Sequence, residues 1–274
     1  MTRVKINNYD EYCNEAEKPY ILEQIKSPFR MIMSSKSSGG KTNLLLNLLL
    51  QPLVYYEKLI VFSTTLGQPK YKLLIDFFEE LYQDELKKRE KKGGGKMSIS
   101  KQIVAKHPTG DFEKLCQFKQ NENEPVERVA EFYENIDDLP DCESFNGNDK
   151  YTLIVLDDCM LEKNQSKLTK YFVKGRHNKL SVIYQTQKFS ALPSALREQS
   201  SHYIFMGKQN QFLLNTISAS VPIGLDYKSV KKLFNTAIQD NFDFIMINCT
   251  DPDPNKIIYR NLDEPINIDS VRIE

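Results

Sequence analysis

The sequence predicts an α/β fold, a mainly parallel central sheet flanked by helices. Three observations carry that prediction. Short continuous apolar runs bounded by turn residues recur along the chain, as strands buried on both faces require. They alternate with segments of helical spacing, which is the pattern of βαβ units. Three of the runs end in polar residues, so chemistry collects outside the carboxyl ends of the strands, where such sheets bind ligands.

The elements follow in order. Residues 1–26 form a polar lead-in with room for one strand and a short turn. Ser27-Pro28 marks the entry to a first core strand at about 29–34. A helix runs to about Leu50 and stops at Gln51-Pro52. Lys58 to Ser63 is the next strand, and Leu73, Leu74, Phe77, Phe78 and Leu81 give residues 70–91 helical spacing. From Lys87 to Lys96 the chain is highly charged and then glycine-rich, and it stays polar to 125. We read 86–125 as a flexible basic insertion, either a solvated loop or one that touches nucleic acid. Residues 126–136 return to helical spacing, and 137–150 form a loop. Strands are expected at Tyr151–Asp157, Leu180–Tyr184 and His202–Met206, with a helix from about Leu161 to Gly175. A helix near 227–238 and strands at 242–248 and 256–259 complete the chain. The core is thus residues 27–208, and 209–274 extend it with helix and strand.

Between the first strand and its helix the chain reads Ser35-Lys36-Ser37-Ser38-Gly39-Gly40-Lys41-Thr42-Asn43. An apolar strand, a loop of small residues and Gly-Lys-Thr opening a helix make a phosphate-binding loop, whose backbone N–H groups face inward toward an anion. Lys41 would reach the β- and γ-phosphates of ATP, and the Thr42 hydroxyl would ligate Mg²⁺. The pattern asks for glycine at position 35, where this chain has Ser35.

Composition narrows the partners. Hydrophobic residues make up 40% and charged residues 27% of the 274, ordinary for a globular protein. Lys+Arg and Asp+Glu are both 37, so no global basic field announces nucleic acid, although a local stripe repeated around a ring can supply one. The five cysteines, Cys13, Cys116, Cys142, Cys159 and Cys249, are scattered without a C-x-x-C pair. That pattern disfavours a zinc site or disulfide framework and fits a reducing compartment. The polar N-terminus lacks a secretory apolar segment, and the run Leu44–Leu50, interrupted by Asn47, is too short for a membrane. A soluble protein is expected.

Other polar residues join the loop. Asp157 closes an apolar strand, where its carboxylate would hold Mg²⁺ together with Thr42. Asp158 stands where a carboxylate can orient and polarise the attacking water. After the next strand, Gln187 is the amide placed to sense the γ-phosphate, whereas Gln185 still points into the strand. Arg176 and Arg197 are candidates for a finger reaching a neighbour's nucleotide. Lys163, Lys167, Lys170 and Lys174 share one helical stripe, with Leu168, Tyr171 and Phe172 on the adjoining inward face. Such a stripe is a solvated face or a lining for a polyanion.

The order Ser-Ser-Gly-Gly-Lys-Thr, Leu-Ile-Val-Leu-Asp-Asp, Gly-Arg-His-Asn-Lys-Leu-Ser-Val-Ile-Tyr-Gln-Thr-Gln and Leu-Pro-Ser-Ala-Leu-Arg resembles the genome-packaging ATPases of eukaryotic DNA viruses. These are the poxvirus-type branch of the FtsK/HerA superfamily, found also in virophages. The resemblance covers about 28–208. It implies a P-loop NTPase of the RecA-like ASCE type, forming a homo-oligomeric ring that spends ATP to move double-stranded DNA into a capsid, docked on capsid or portal-vertex proteins. It implies a place in the virion or the host-cell cytoplasm. By position it makes Lys41 and Thr42 the Walker A pair, Asp157 the Walker B metal residue, Asp158 the catalytic acid, Gln187 the sensor and Arg176 a candidate trans finger. Many members of the superfamily carry Glu where Asp158 stands. A small-molecule P-loop kinase and a nucleotide-dependent scaffold are the alternatives; the kinase would want an Arg-rich lid, and the downstream basic residues are mainly lysines.

Overall fold

The computed structural model describes residues 20–51, 53–90, 126–162, 165–240 and 242–273. The described strands form one nine-stranded sheet. Its strands are β1 (Arg30–Ser34), β2 (Lys58–Ser63), β3 (Ala130–Tyr133), β4 (Thr152–Asp157), β5 (Leu180–Thr186), β6 (His202–Met206), β7 (Phe244–Asn248), β8 (Ile258–Arg260) and β9 (Glu264–Pro265). The order across the sheet is β3-β2-β4-β5-β1-β6-β7-β8-β9. Neighbours from β3 to β6 run parallel, and β7, β8 and β9 continue antiparallel. The continuous apolar runs are explained: β4, β5 and β6 are buried at every position, since helices cover both faces.

Two helices, α1 (Lys41–Leu50) and α2 (Pro69–Glu90), cover one face. Leu45, Leu48 and Leu49 of α1 are fully buried with Met31, Met33, Leu74 and Phe77. No side chain caps the start of α1. A cap is worth ~1 kcal/mol, whereas each fully buried leucine is worth about 1.5–3 kcal/mol, so burial holds this helix and leaves its first N–H groups open. The other face carries α3 (Gln165–Lys174), α4 (Ser194–Gln199), α5 (Gln211–Ser220), α6 (Tyr227–Ala237) and the terminal α7 (Ile268–Val271). Leu168, Tyr171, Phe172, Ile217, Val230 and Leu233 meet Ile32, Tyr184 and Phe205 there.

Most expected elements stand within a few residues of their predicted bounds, but three readings change. Residues 126–136 contain the strand β3, parallel to β2, and no α-helix. Val126, Val129, Ala130 and Tyr133 have helical spacing, yet β2 offers an open edge, and Lys58 on β2 pairs with Glu131 at 2.8 Å. On a half-buried edge strand the backbone ladder decides, and the side-chain pattern says little. Secondly, α4 and α5 lie where no helix was predicted. Thirdly, the lysine stripe on α3 faces the chain's own acids. Lys167 is buried and donates to the Asp137 carbonyl at 3.3 Å, and Lys170 and Lys174 both reach Glu143. Residues 137–150, expected as plain loop, make short 3-10 turns at Ile136–Asp138 and Cys142–Phe145 that supply these partners. Lys163, most of the lead-in, and 91–125 of the basic insertion lie outside the described residues. Cys142 and Cys159 are buried free thiols and Cys249 a half-buried one. Among the described residues no helix is long and apolar enough to cross a membrane.

Candidate active site

Strand register assembles the site. Ser63 on β2 lies beside Asp157 on β4, Asp157 beside Gln185 on β5, and Gln185 beside Met33 on β1. Four adjacent parallel strands therefore end at one level, and the residues that follow each of them share one edge.

At the end of β1 the loop 35–40 turns into α1. Its first amide, Ser35 N, donates to the Thr186 carbonyl at 3.2 Å, and Gly39 N donates to the Lys36 carbonyl at 3.1 Å. Gly40 stands before the helix with φ 92°, a conformation glycine adopts without strain. The first turn of α1 carries no acidic residue and no side-chain cap, so its N–H groups and dipole are left for an anion. The Lys41 ammonium donates to the Ser35 carbonyl at 3.1 Å, folded back over the loop. Burial pushes the Lys41 pKa down, and the carboxylates of Asp157 and Asp158 oppose that shift. A partly desolvated cation beside open N–H groups suits a phosphate.

Ser35 explains a second glycine. Its hydroxyl donates to the Lys36 carbonyl at 3.0 Å, and a Cβ built on Gly39 would lie only 1.8 Å from that Oγ. The loop thus carries a side chain at position 35 and makes room for it by having none at 39.

Asp157 is nearly buried. Its Oδ2 accepts from Tyr71 Oη at 2.5 Å and from Ser63 Oγ at 3.4 Å. Tyr71 stands in the first turn of α2 and is wholly buried. Neither partner was legible beforehand, because Ser63 closes an apolar run that signals core and Tyr71 stands between two lysines at a helix start with no mark of its partner. Burial pushes the Asp157 carboxyl up from its ordinary value. The Tyr71 hydrogen bond opposes this, the Asp158 charge adds to it, and Lys41 and Ser63 oppose it. An acid whose folded pKa is raised costs stability when ionised, and that cost appears as pH rises through the raised value. We therefore expect Asp157→Asn, in chelating buffer at pH 7, to melt above the wild type. The gap should close only as pH falls below about 3, where the carboxyl is neutral in both states. A lower melting temperature at pH 7 would refute the assigned desolvation.

The next residue, Asp158, is exposed and left-handed, with φ 54°. Non-glycine residues hold that conformation at a cost of about 1 kcal/mol, and such strain collects at functional sites. The kink turns Asp158 toward Gln187, whose Nε2 lies 3.2 Å from Oδ2 and 3.4 Å from Oδ1. Gln185 stays inside, as its position in the strand required. It is fully buried and donates to the Lys41 carbonyl at 3.3 Å, tying β5 to the first turn of α1.

The two arginines stand elsewhere. Arg176 is exposed in the turn Gly175–Asn178 before β5, at the opposite end of that strand from Gln187. Arg197 on α4 is engaged within its own chain, donating to the Ser190 carbonyl at 3.0 Å with its guanidinium over the Phe189 ring. Neither meets the loop of its own chain.

For a metal, the donor set on offer is the Thr42 hydroxyl and the Asp157 carboxylate. These are hard oxygens of the kind Mg²⁺ takes while keeping most of its waters, so the residues fit that ion.

Known proteins share this architecture. The chain resembles B204, the DNA-packaging ATPase of Sulfolobus turreted icosahedral virus, with TM-score 0.52 and 11% identity over 85% of this chain and 97% of that one. It also resembles the genome packaging NTPase B204 of Sulfolobus turreted icosahedral virus 2 in complex with AMP, with TM-score 0.50 and 13% identity over 85% and 96%. The complex of that protein with ATP-gammaS matches equally, at TM-score 0.50 and 13% identity over the same shares. At these identities the likeness establishes the fold alone, a mostly parallel sheet flanked by helices. No curated protein matches the chain significantly. The family model described as Poxvirus A32 protein matches residues 119–266, from before β3 through β9 and including Asp157, Asp158 and Gln187. With more than half of its length matched, this chain belongs to the Poxvirus A32 protein family.

Proposed function

We propose that this chain is the ATPase of a viral genome-packaging motor, moving double-stranded DNA into a capsid as a homo-oligomeric ring. The observation that carries the reading is the register that brings Lys41, Asp157, and the Asp158–Gln187 pair to one sheet edge. Membership of the Poxvirus A32 family supports it, as does a fold shared with a DNA-packaging ATPase and with a packaging NTPase that binds ATP-gammaS.

In this reading the loop from Ser35 to Gly40, with Asn43 inside the first helical turn, cradles the phosphates, and Lys41 swings from the Ser35 carbonyl to the β- and γ-phosphates. Thr42 and Asp157 would hold Mg²⁺, which would supply charge neutralisation on the phosphate oxygens. Tyr71 and Ser63 hold the Asp157 carboxylate in place. Asp158 accepts a proton from the attacking water, and Gln187 keeps that carboxylate aimed and registers the γ-phosphate. Arg176, exposed and uncommitted to the site of its own chain, is the arginine we assign to a neighbour's nucleotide. Capsid or portal-vertex proteins would hold the ring in place during packaging.

The test is ATP hydrolysis with and without double-stranded DNA. Hydrolysis should rise several-fold with DNA of any sequence, and Lys41→Ala should abolish it. Mixing Lys41→Ala with Arg176→Ala subunits should restore part of the activity if the arginine acts across an interface. Hydrolysis that ignores DNA and responds to small phosphate acceptors would sink the motor reading.

A further inference from the structure

The residues for hydrolysis all lie on one side of β1, on β5 and β4. On the other side of β1 lies β6, followed by β7. A triphosphate lying along the loop with its γ end at Asp158 and Gln187 therefore sends its nucleoside toward the ends of β6 and β7. This argument rests on the ATP reading above.

What stands there is an aromatic ring. Phe242, just before β7, is 66% exposed, whereas Phe244 two residues on is buried in the core. Its ring is seated against the phosphate loop. A Cβ built on Gly40 would lie 3.2 Å from Phe242 Cδ1 and 3.3 Å from Met206 Cε, the last side chain of β6. The segment carrying the ring is pinned by its neighbour Asp243. Gly207 N donates to the Asp243 carbonyl at 2.9 Å, joining the ends of β6 and β7. Asp243 Oδ2 accepts from Gln239 N at 2.9 Å, Asp240 N at 2.8 Å and Arg260 Nη2 at 3.1 Å. An exposed phenylalanine gains little from the fold's own packing, yet this one is held beside the glycine that opens α1.

We propose that the Phe242 ring is the platform on which the base of the bound nucleotide stacks. Stacking on a fixed aromatic ring strengthens binding of a base by about tenfold or more. It is tolerant of base identity, because every base presents a π-face. Phe242 would therefore retain the nucleoside end without choosing adenine over guanine, and choice between them would fall to polar groups nearby.

The chain contains no tryptophan, so Phe242→Trp makes a single fluorescent reporter at the proposed platform. ATP should shift or quench its emission, and tripolyphosphate, which fills the loop without a base, should leave the emission nearly unchanged. In parallel, Phe242→Ala should weaken ATP binding about tenfold and tripolyphosphate binding less than twofold, measured by calorimetry. Equal responses to the two ligands, or ATP binding by Phe242→Ala at wild-type strength, would overturn the platform alone. Wild-type protein that binds neither ligand would overturn the nucleotide site itself and the platform with it.

Discussion

Replacing Asp158 with asparagine should leave ATP bound and slow its hydrolysis at least ~100-fold, the size expected when a positioned general base is lost. Asparagine is nearly isosteric and tolerates the left-handed backbone that Asp158 adopts, so the turn after β4 should persist. Its amide oxygen can still accept from Gln187, with the amide turned accordingly. What it cannot do is take a proton from water. The left-handed turn at 158 sets the carboxylate against Gln187. Single-turnover hydrolysis with ATP bound beforehand isolates this step from binding and product release. Near-normal turnover would refute the role.

The second large effect concerns the loop. Gly39→Ala should cost at least tenfold in ATP affinity, and Ser35→Gly should restore most of it in the double variant. The clash of 1.8 Å with Ser35 Oγ is far inside contact distance, and the Lys36 carbonyl at 3.0 Å and Ser35 Cβ at 3.2 Å close off the remaining space. Ser35 is buried, so its hydroxyl has nowhere favourable to turn, and overpacking at such a site costs typically 1–3 kcal/mol. Removing the Ser35 side chain removes the 1.8 Å clash and leaves only the tight 3.0 Å approach to the Lys36 carbonyl. The pair should therefore show strong coupling in a double-mutant cycle of ATP affinities, whereas additive losses would show that Gly39 serves the loop for another reason. Ser35 alone departs from the phosphate-loop pattern; Ser35 with Gly39 satisfies the same steric demand by another route.

Much of the fold was legible because burial on both faces forces an unbroken apolar run. β2 and β6 stand at their expected bounds, and α1 follows the loop to Leu50. The failures have separate causes. β3 is an edge strand whose segment carries helical spacing although the open edge of β2 sets its structure, and α4, with 6 residues, is too short for helical periodicity to emerge. The lysine stripe was read as a solvated face or a polyanion lining. Lys170 and Lys174 are exposed as a solvated face requires, but charge spacing says nothing about which acids that face meets. On α3 it meets Asp137, Asp141 and Glu143.

By itself the sequence determined the architecture, the phosphate loop and the carboxylates at a strand end, because those depend on local residue type and on period. Only the tertiary structure decided which groups touch. Tyr71 on Asp157, Gln187 on Asp158, Ser35 against Gly39 and Phe242 over Gly40 join residues from 4 to more than 200 positions apart. The long-range contacts follow from strand order and register, which arise when the sheet assembles, and the Ser35–Gly39 contact follows from the turn of the loop between β1 and α1.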